Sequence, residues 1–185
     1  MLALESARLS LRPLIADHLQ DLWDKGLTQY DVVKWLTGPT WPADWQTAQE
    51  NINVKSTTTT DPGFGSFSIF LNNEMIGGVD VTAPGDLKDN PEWPTLGYWL
   101  TPAAHGQGYA SEAARAAIGH FFAHSSFDVL AARVFKDNTA SQRVLAKLGF
   151  QQVGECVRFS KPLNEHVENH VLLLPKHRFH ASNPL

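Results

Sequence analysis

Residues 95–122, "TLGYWLTPAAHGQGYASEAARAAIGHFF", run from strand-forming residues through a two-glycine turn into a stripe of apolar residues at steps of three and four. The stripe, Ala110, Ala113, Ala114, Ala117, Ile118, Phe121 and Phe122, is one face of a helix. Its first half carries only small side chains, which allows close approach to a sheet or a ligand, and its phenylalanines fill a core further on. A strand that turns tightly into such a helix calls for helices packed on a sheet. Glycines in the turn let backbone N–H groups converge at the helix start, where the dipole favours an anion, but a tight connection uses the same residues.

The spacing separates this turn from two known cradles. No Gly-Lys-Ser/Thr follows, so it is not a Walker loop, and the G-x-G-x-x-G of a dinucleotide fold is absent.

Elements around the turn follow from periodicity. "RLSLR" at 8–12 alternates and is closed by Pro13; Asp17 starts a helix with Leu19, Leu22 and Trp23 that runs to Gly26. Short helical stretches follow at 30–36 and 44–56, and "TTTTDPGFG" breaks the second. "FSIFL" and "MIGGVDV", joined by "NNE", read as a hairpin. Beyond the helix after the glycine turn, Val129–Phe135 is a strand, and "NTASQRVLAKLGF" is a helix with Asn138 as cap, Lys147 in its last turn and Gly149 past its end. Phe150–Phe159 and Val167–Leu174 supply two more strands. The fold class is therefore α/β (α+β), with a single mixed, mostly antiparallel central sheet of about seven strands flanked by helices. One domain over residues 1–185 is expected.

Fifteen basic and nineteen acidic residues give a net charge of −4, which disfavours nucleic acid as a partner. Cys156 is the single cysteine, so no internal disulfide framework exists and a reduced, cytoplasmic setting is expected. The N-terminal stretch lacks the features of a signal peptide, and no apolar run reaches membrane-spanning length, so no membrane association is expected.

The turn and "NTASQRVLAKLGF" together resemble the GNAT superfamily of acyl-CoA-dependent N-acetyltransferases, whose pyrophosphate loop reads Gln/Arg-x-x-Gly-x-Gly/Ala. Gly106 and Gly108 match the small positions, whereas Ala103 stands where Gln or Arg is usual. "RLSLRPL" and "LGYWLTPAAHGQGYASEA" are similar to the branch with the RimJ/RimL-type ribosomal-protein acetyltransferases, over residues 8–174.

The resemblance implies an acyl-CoA N-acyltransferase fold and acetyl-CoA as cosubstrate. Its pyrophosphate would lie on the amides of His105, Gly106, Gln107, Gly108, Tyr109 and Ala110, with the Ser111 hydroxyl nearby. Trp99, Leu100 and Thr101 match the strand that pairs with the pantetheine arm, and the N–H of Leu100 would stabilise the oxyanion. Asn138 would reach the same arm; a plain helix cap is the other reading. The Glu that many relatives carry ahead of "GY" is Thr95 here, which leaves Glu92 as the nearby carboxylate. The usual tyrosine of the late helix is Leu145, which leaves Ser141 as the hydroxyl for the departing thiolate, and a thiol titrating near ~8.5 needs little help.

His166, Glu168 and His170 share one strand face and, with His177 and His180, invite a metal reading. They carry no ligand signature, so no metal is expected; the other reading places His170 or Glu168 in the lining of an acceptor pocket. Trp35, Trp41, Trp45 and Trp93 border the expected acceptor cleft or pack under loops. Cys156 has no adjacent histidine, which points to direct transfer to an amine, a protein N-terminus or a small molecule, in a ternary complex. A catalytically impaired acyl-CoA-binding protein and a pyrophosphate hydrolase are the alternatives. Exposed edge strands near the C-terminus permit a homodimer.

Overall fold

The computed structural model describes residues 3–57, 62–87 and 90–182. The threonine run expected to end the third helix lies, beyond Thr57, outside them. The described residues form an eight-stranded sheet in the order β1-β2-β3-β4-β5-β6-β8-β7. Its strands are β1 (Leu4–Glu5), β2 (Ser10–Pro13), β3 (Gly65–Leu71), β4 (Glu74–Thr82), β5 (Thr95–Leu100), β6 (Val129–Phe135), β7 (Gln151–Ser160) and β8 (Glu165–Pro175). Every neighbouring pair is antiparallel except β5 and β6. The eighth strand, beyond the seven expected, is the two-residue β1, too short to show an alternation.

Local chemistry explains most boundaries. Asn72 and Asn73 take left-handed conformations, φ 50° and 66°, and turn β3 tightly into β4. Asp44 accepts the Thr47 N–H at 2.7 Å at the start of α3 (Trp45–Thr57). Asn138 caps α5 (Thr139–Leu148) by accepting the Ser141 N–H at 3.0 Å, and Gly149 closes that helix at φ 97°.

Helices cover both faces. On one, α4 (Tyr109–His124) and α5 bury Ala113, Ala114, Ala117, Ile118, Phe121, Phe122, Leu145 and Leu148 against Val79, Val81, Leu96, Leu100, Leu130, Ala132 and Val134. The other face carries α3, the N-terminal helical segment and the loop before β5. That segment is not the single helix expected from Asp17 to Gly26. It is a 3-10 turn (Ala16–His18), α1 (Leu19–Leu22) and a π-turn (Trp23–Leu27), followed by α2 (Tyr30–Val33). The widened π-turn brings Gly26 against the Trp99 indole: a Cβ there would lie 2.8 Å from the ring. A final helix, α6 (Lys176–Ser182), buries Phe179 against Phe122.

Candidate active site

β5 and β6 pair only at Thr95↔Ala131 and Leu96↔Ala132, and beyond Leu96 they part into a fork. β5 remains zipped to β4, from Thr82↔Thr95 to Gly77↔Leu100, and Thr101 N–H donates to Ile76 O at 2.8 Å. In an antiparallel ladder the pairing groups alternate, so the backbone polar groups of Thr95, Gly97, Trp99 and Thr101 face β4. Those of Tyr98 and Leu100 face the open fork. Of the three strand residues expected to meet a pantetheine arm, Leu100 alone offers its backbone there; Trp99 and Thr101 spend theirs on β4. Tyr98, which the sequence marks only as part of "LGYWL", is the second residue to do so. Its register parity with Leu100 was the signal available.

Beyond β5 the chain makes a 3-10 turn (Pro102–Ala104) and reaches the glycine loop. His105 N–H is tied back to Pro102 O at 3.1 Å, and the His105 imidazole Nε2 lies 3.0 Å from Leu100 O. Gly106 and Gly108 sit at φ 75° and 81°, a region L side chains rarely adopt, and Gly108 is the residue before the first turn of α4. No described carbonyl or side chain accepts from the N–H groups of Gly106, Gln107, Gly108, Tyr109, Ala110 or Ser111. This row of unpaired donors at a helix N-terminus is built for an anion.

The loop is braced from behind. Glu112 in the first turn of α4 accepts from Ser6 Oγ and the Arg8 backbone N–H, each at 2.8 Å, and from Arg8 Nε at 2.7 Å. Burial alone would raise its carboxyl, but these hydrogen bonds outweigh burial and hold it below the ordinary glutamate value. The Arg8 guanidinium stacks 4.5 Å over the Tyr109 ring.

Across the fork, α5 presents Asn138 and Ser141. Asn138 lines the cleft, and its Oδ1 is occupied by the cap. Ser141 Oγ lies 2.8 Å from the Tyr98 hydroxyl. Burial raises the Tyr98 phenol to about 12 despite the opposing effect of that hydrogen bond, so it keeps its proton at neutral pH. Leu145, at the usual tyrosine position, is fully buried in the core.

The fork opens into one continuous cleft of about 1040 Å³ that runs to α2 and α3 on the opposite face of the sheet. Gly97 is its floor: exposed in the middle of the sheet, with nothing within 4 Å of where a Cβ would stand. Thr95 is buried, and its hydroxyl donates to Asp86 Oδ2 at 3.4 Å. Asp86 also pairs with Arg133 and takes the Arg158 Nη1 on its backbone oxygen at 2.8 Å. Asp80 stands beside Gly97 across the strand pair, 3.1 Å from Lys55 Nζ of α3.

Other expectations are corrected. Glu92 sits exposed in the turn before β5 and does not line the cleft; the carboxylates that do are Asp31, Asp44, Asp80, Asp86 and Asp137, single charges that no spacing rule marks. Gln107 and Thr101 also lie outside the lining. His166, Glu168 and His170 share a strand face as expected, but away from the cleft, where Glu168 pairs with Lys136 and His166 meets Phe159. Of the four tryptophans expected at the cleft, Trp35 lines it, whereas Trp93 packs beside Leu87, Ala131 and Val171. Cys156 packs in the same small cluster.

The family model for the acetyltransferase (GNAT) domain matches residues 8–151. The chain belongs to the GNAT acetyltransferase family. Among curated relatives, it is 28% identical over 156 residues to the FsC-acetyl coenzyme A-N(2)-transacetylase of Aspergillus fumigatus, an alignment covering 81% of this chain and 65% of that protein. It is 30% identical over 99 residues to the ribosomal-protein-serine acetyltransferase of Escherichia coli, covering 54% of this chain and 53% of that one. The chain thus spans between half and two thirds of the length of these two relatives. Among solved structures, Mycobacterium smegmatis RimJ in complex with CoA-disulfide superposes with a TM-score of 0.78 at 20% identity, over 98% of this GNAT chain and 94% of that one. No described helix of this acetyltransferase-family chain is long and apolar enough to cross a membrane.

Proposed function

We propose that this GNAT chain, acting as one domain, transfers the acetyl group of acetyl-CoA to a primary amine by direct attack in a ternary complex. The observation that carries this reading is the conjunction of two backbone rows without partners among the described residues, the N–H groups of Gly106–Ser111 at the α4 terminus and, in the fork, the N–H groups of Tyr98 and Leu100 with the Tyr98 carbonyl, the Leu100 carbonyl being taken by His105. One row suits a diphosphate and the other an amide-bearing arm. That the solved RimJ structure is a CoA-disulfide complex supports the same assignment.

Acetyl-CoA supplies the activated acyl group; the chain's residues position it. Gly106–Ser111 bind the diphosphate through their amides, His105 being excluded because its N–H is already bonded. Leu100 pairs with the arm, and its N–H polarises the thioester carbonyl and stabilises the oxyanion. Asn138 donates its amide nitrogen to the arm while its oxygen keeps the cap. Ser141, backed by the Tyr98 hydroxyl, donates a hydrogen bond to the departing thiolate sulfur as the C–S bond breaks, and the proton the amine nitrogen loses as the amide forms ends on that thiol. The continuous cleft admits an amine from the opposite face of the sheet. Cys156, packed outside that cleft, takes no acyl group.

The test is calorimetric titration of acetyl-CoA and desulfo-CoA into the wild type and Gly108→Trp, with circular dichroism confirming folding and thiol release measured over a panel of amines. Saturable binding lost in the variant, with amine-dependent thiol release by the wild type, is the expected outcome. A folded wild type that binds neither ligand contradicts the proposal, and binding without release on any amine would leave an acyl-CoA-binding protein.

A further inference from the structure

Asp80 is a charged residue inside an otherwise apolar central strand, with about a quarter of its side chain exposed to the cleft. Central-strand carboxylates are costly to place under a helix unless something binds them. Here one oxygen holds the Lys55 ammonium at 3.1 Å, and Lys55 reaches down from α3, its own side chain half exposed. Register places Asp80 directly across from Gly97, on the face where Gly97 leaves open space at the foot of the fork. Three of the other four cleft carboxylates are committed, and the fourth, Asp137, is exposed just before α5. Asp86 is held by Arg133, Arg158 and Thr95, Asp44 caps α3, and Asp31 pairs with Lys34 near the mouth.

We propose that Asp80 is the carboxylate that receives the ammonium group of the acceptor, and that Lys55 occupies that seat in its absence. This rests on the acetyl-transfer reading above and names the substrate class as a cationic primary amine. The exchange is inexpensive: Lys55 is half exposed and water screens its hold on Asp80, so an incoming ammonium displaces it readily. It then lies over Gly97, beside the fork into which Tyr98 and Leu100 direct their backbone groups. Because Lys55 competes for the seat, its removal strengthens amine binding. A carboxylate that only tethered α3 would show no such effect.

The experiment titrates ethylammonium chloride into protein labelled with carbon-13 at aspartate carboxylates, with and without desulfo-CoA. The Asp80 resonance is assigned by its loss in Asp80→Asn or, should that variant misfold, by its displacement in Asp80→Glu. Expected are a saturable shift of Asp80 with ethylammonium, none with tetramethylammonium at equal ionic strength, and a half-saturation point about two- to fivefold lower in Lys55→Met. An unmoved Asp80, equal shifts with both salts, or a half-saturation point indifferent to Lys55→Met overturns the proposal. Failure of desulfo-CoA to bind counts against the acetyl-transfer reading alone, since the titration without it still reads Asp80.

Discussion

Tyr98 joins sheet, helix and cleft through one hydroxyl. Burial raises its phenol from the ordinary 10 to about 12, so the unfolded chain ionises first as pH rises. Its contribution to stability is therefore intact below pH 10 and declines between 10 and about 12, by up to roughly 3 kcal/mol. Urea unfolding followed from about pH 9 to about pH 11 should show that decline in the wild type and a shallower one in Tyr98→Phe. Unequal visibility in the sequence has a physical cause at this scale. Gly106, Gly108 and Asn138 are legible because backbone geometry restricts which residues serve. Asp80 and Asp86 are not, since their roles come from strands and loops distant in sequence, whereas Glu92 stands out only by its closeness along the chain to Thr95.

At the scale of elements, α4 and α5 are each fixed at their starts by one polar residue, Glu112 and Asn138. Replacing Asn138 with Ala removes the acceptor of the Ser141 N–H and should lower stability by about 1 kcal/mol in thermal unfolding. The same change weakens desulfo-CoA binding, which a cap alone would not require. For α4, the brace is Glu112 with Ser6 and Arg8. Its depressed carboxyl gives stability that is present above the ordinary value of 4.5 and lost as pH falls through the lower folded value. Acid titration of Glu112→Gln should show a flatter decline there than the wild type. β6 and α5 were legible almost to the residue, because a short apolar run of strand length and a capped helix carry their own boundaries. The segment from Asp17 to Leu27 was not: its periodicity is helical throughout, and what divides it is Gly26 closing on Trp99, a contact made across the molecule.

In the whole molecule, the Trp99 indole locks the N-terminal segment to the sheet. A Cβ on Gly26 would stand 2.8 Å from the ring, and one on Gly78 would stand 2.6 Å from its Nε1. Gly26→Ala and Gly78→Ala are therefore each expected to cost about 1–3 kcal/mol, read as a shift in denaturant midpoint. The alternation of strands and helices made a helix-covered sheet legible, but not the divergence of β5 from β6. Divergence is a property of which strands become neighbours, and no local pattern encodes it. The central claim is that this divergence and the α4 terminus together hold the cofactor by backbone amides. Amide nitrogen-15 shifts on titration with desulfo-CoA test it most directly. The account predicts the largest changes at Tyr98, Leu100 and Gly106–Ser111, with Trp99 and Thr101 less affected; saturating binding that leaves those amides unmoved and shifts a different surface would contradict it.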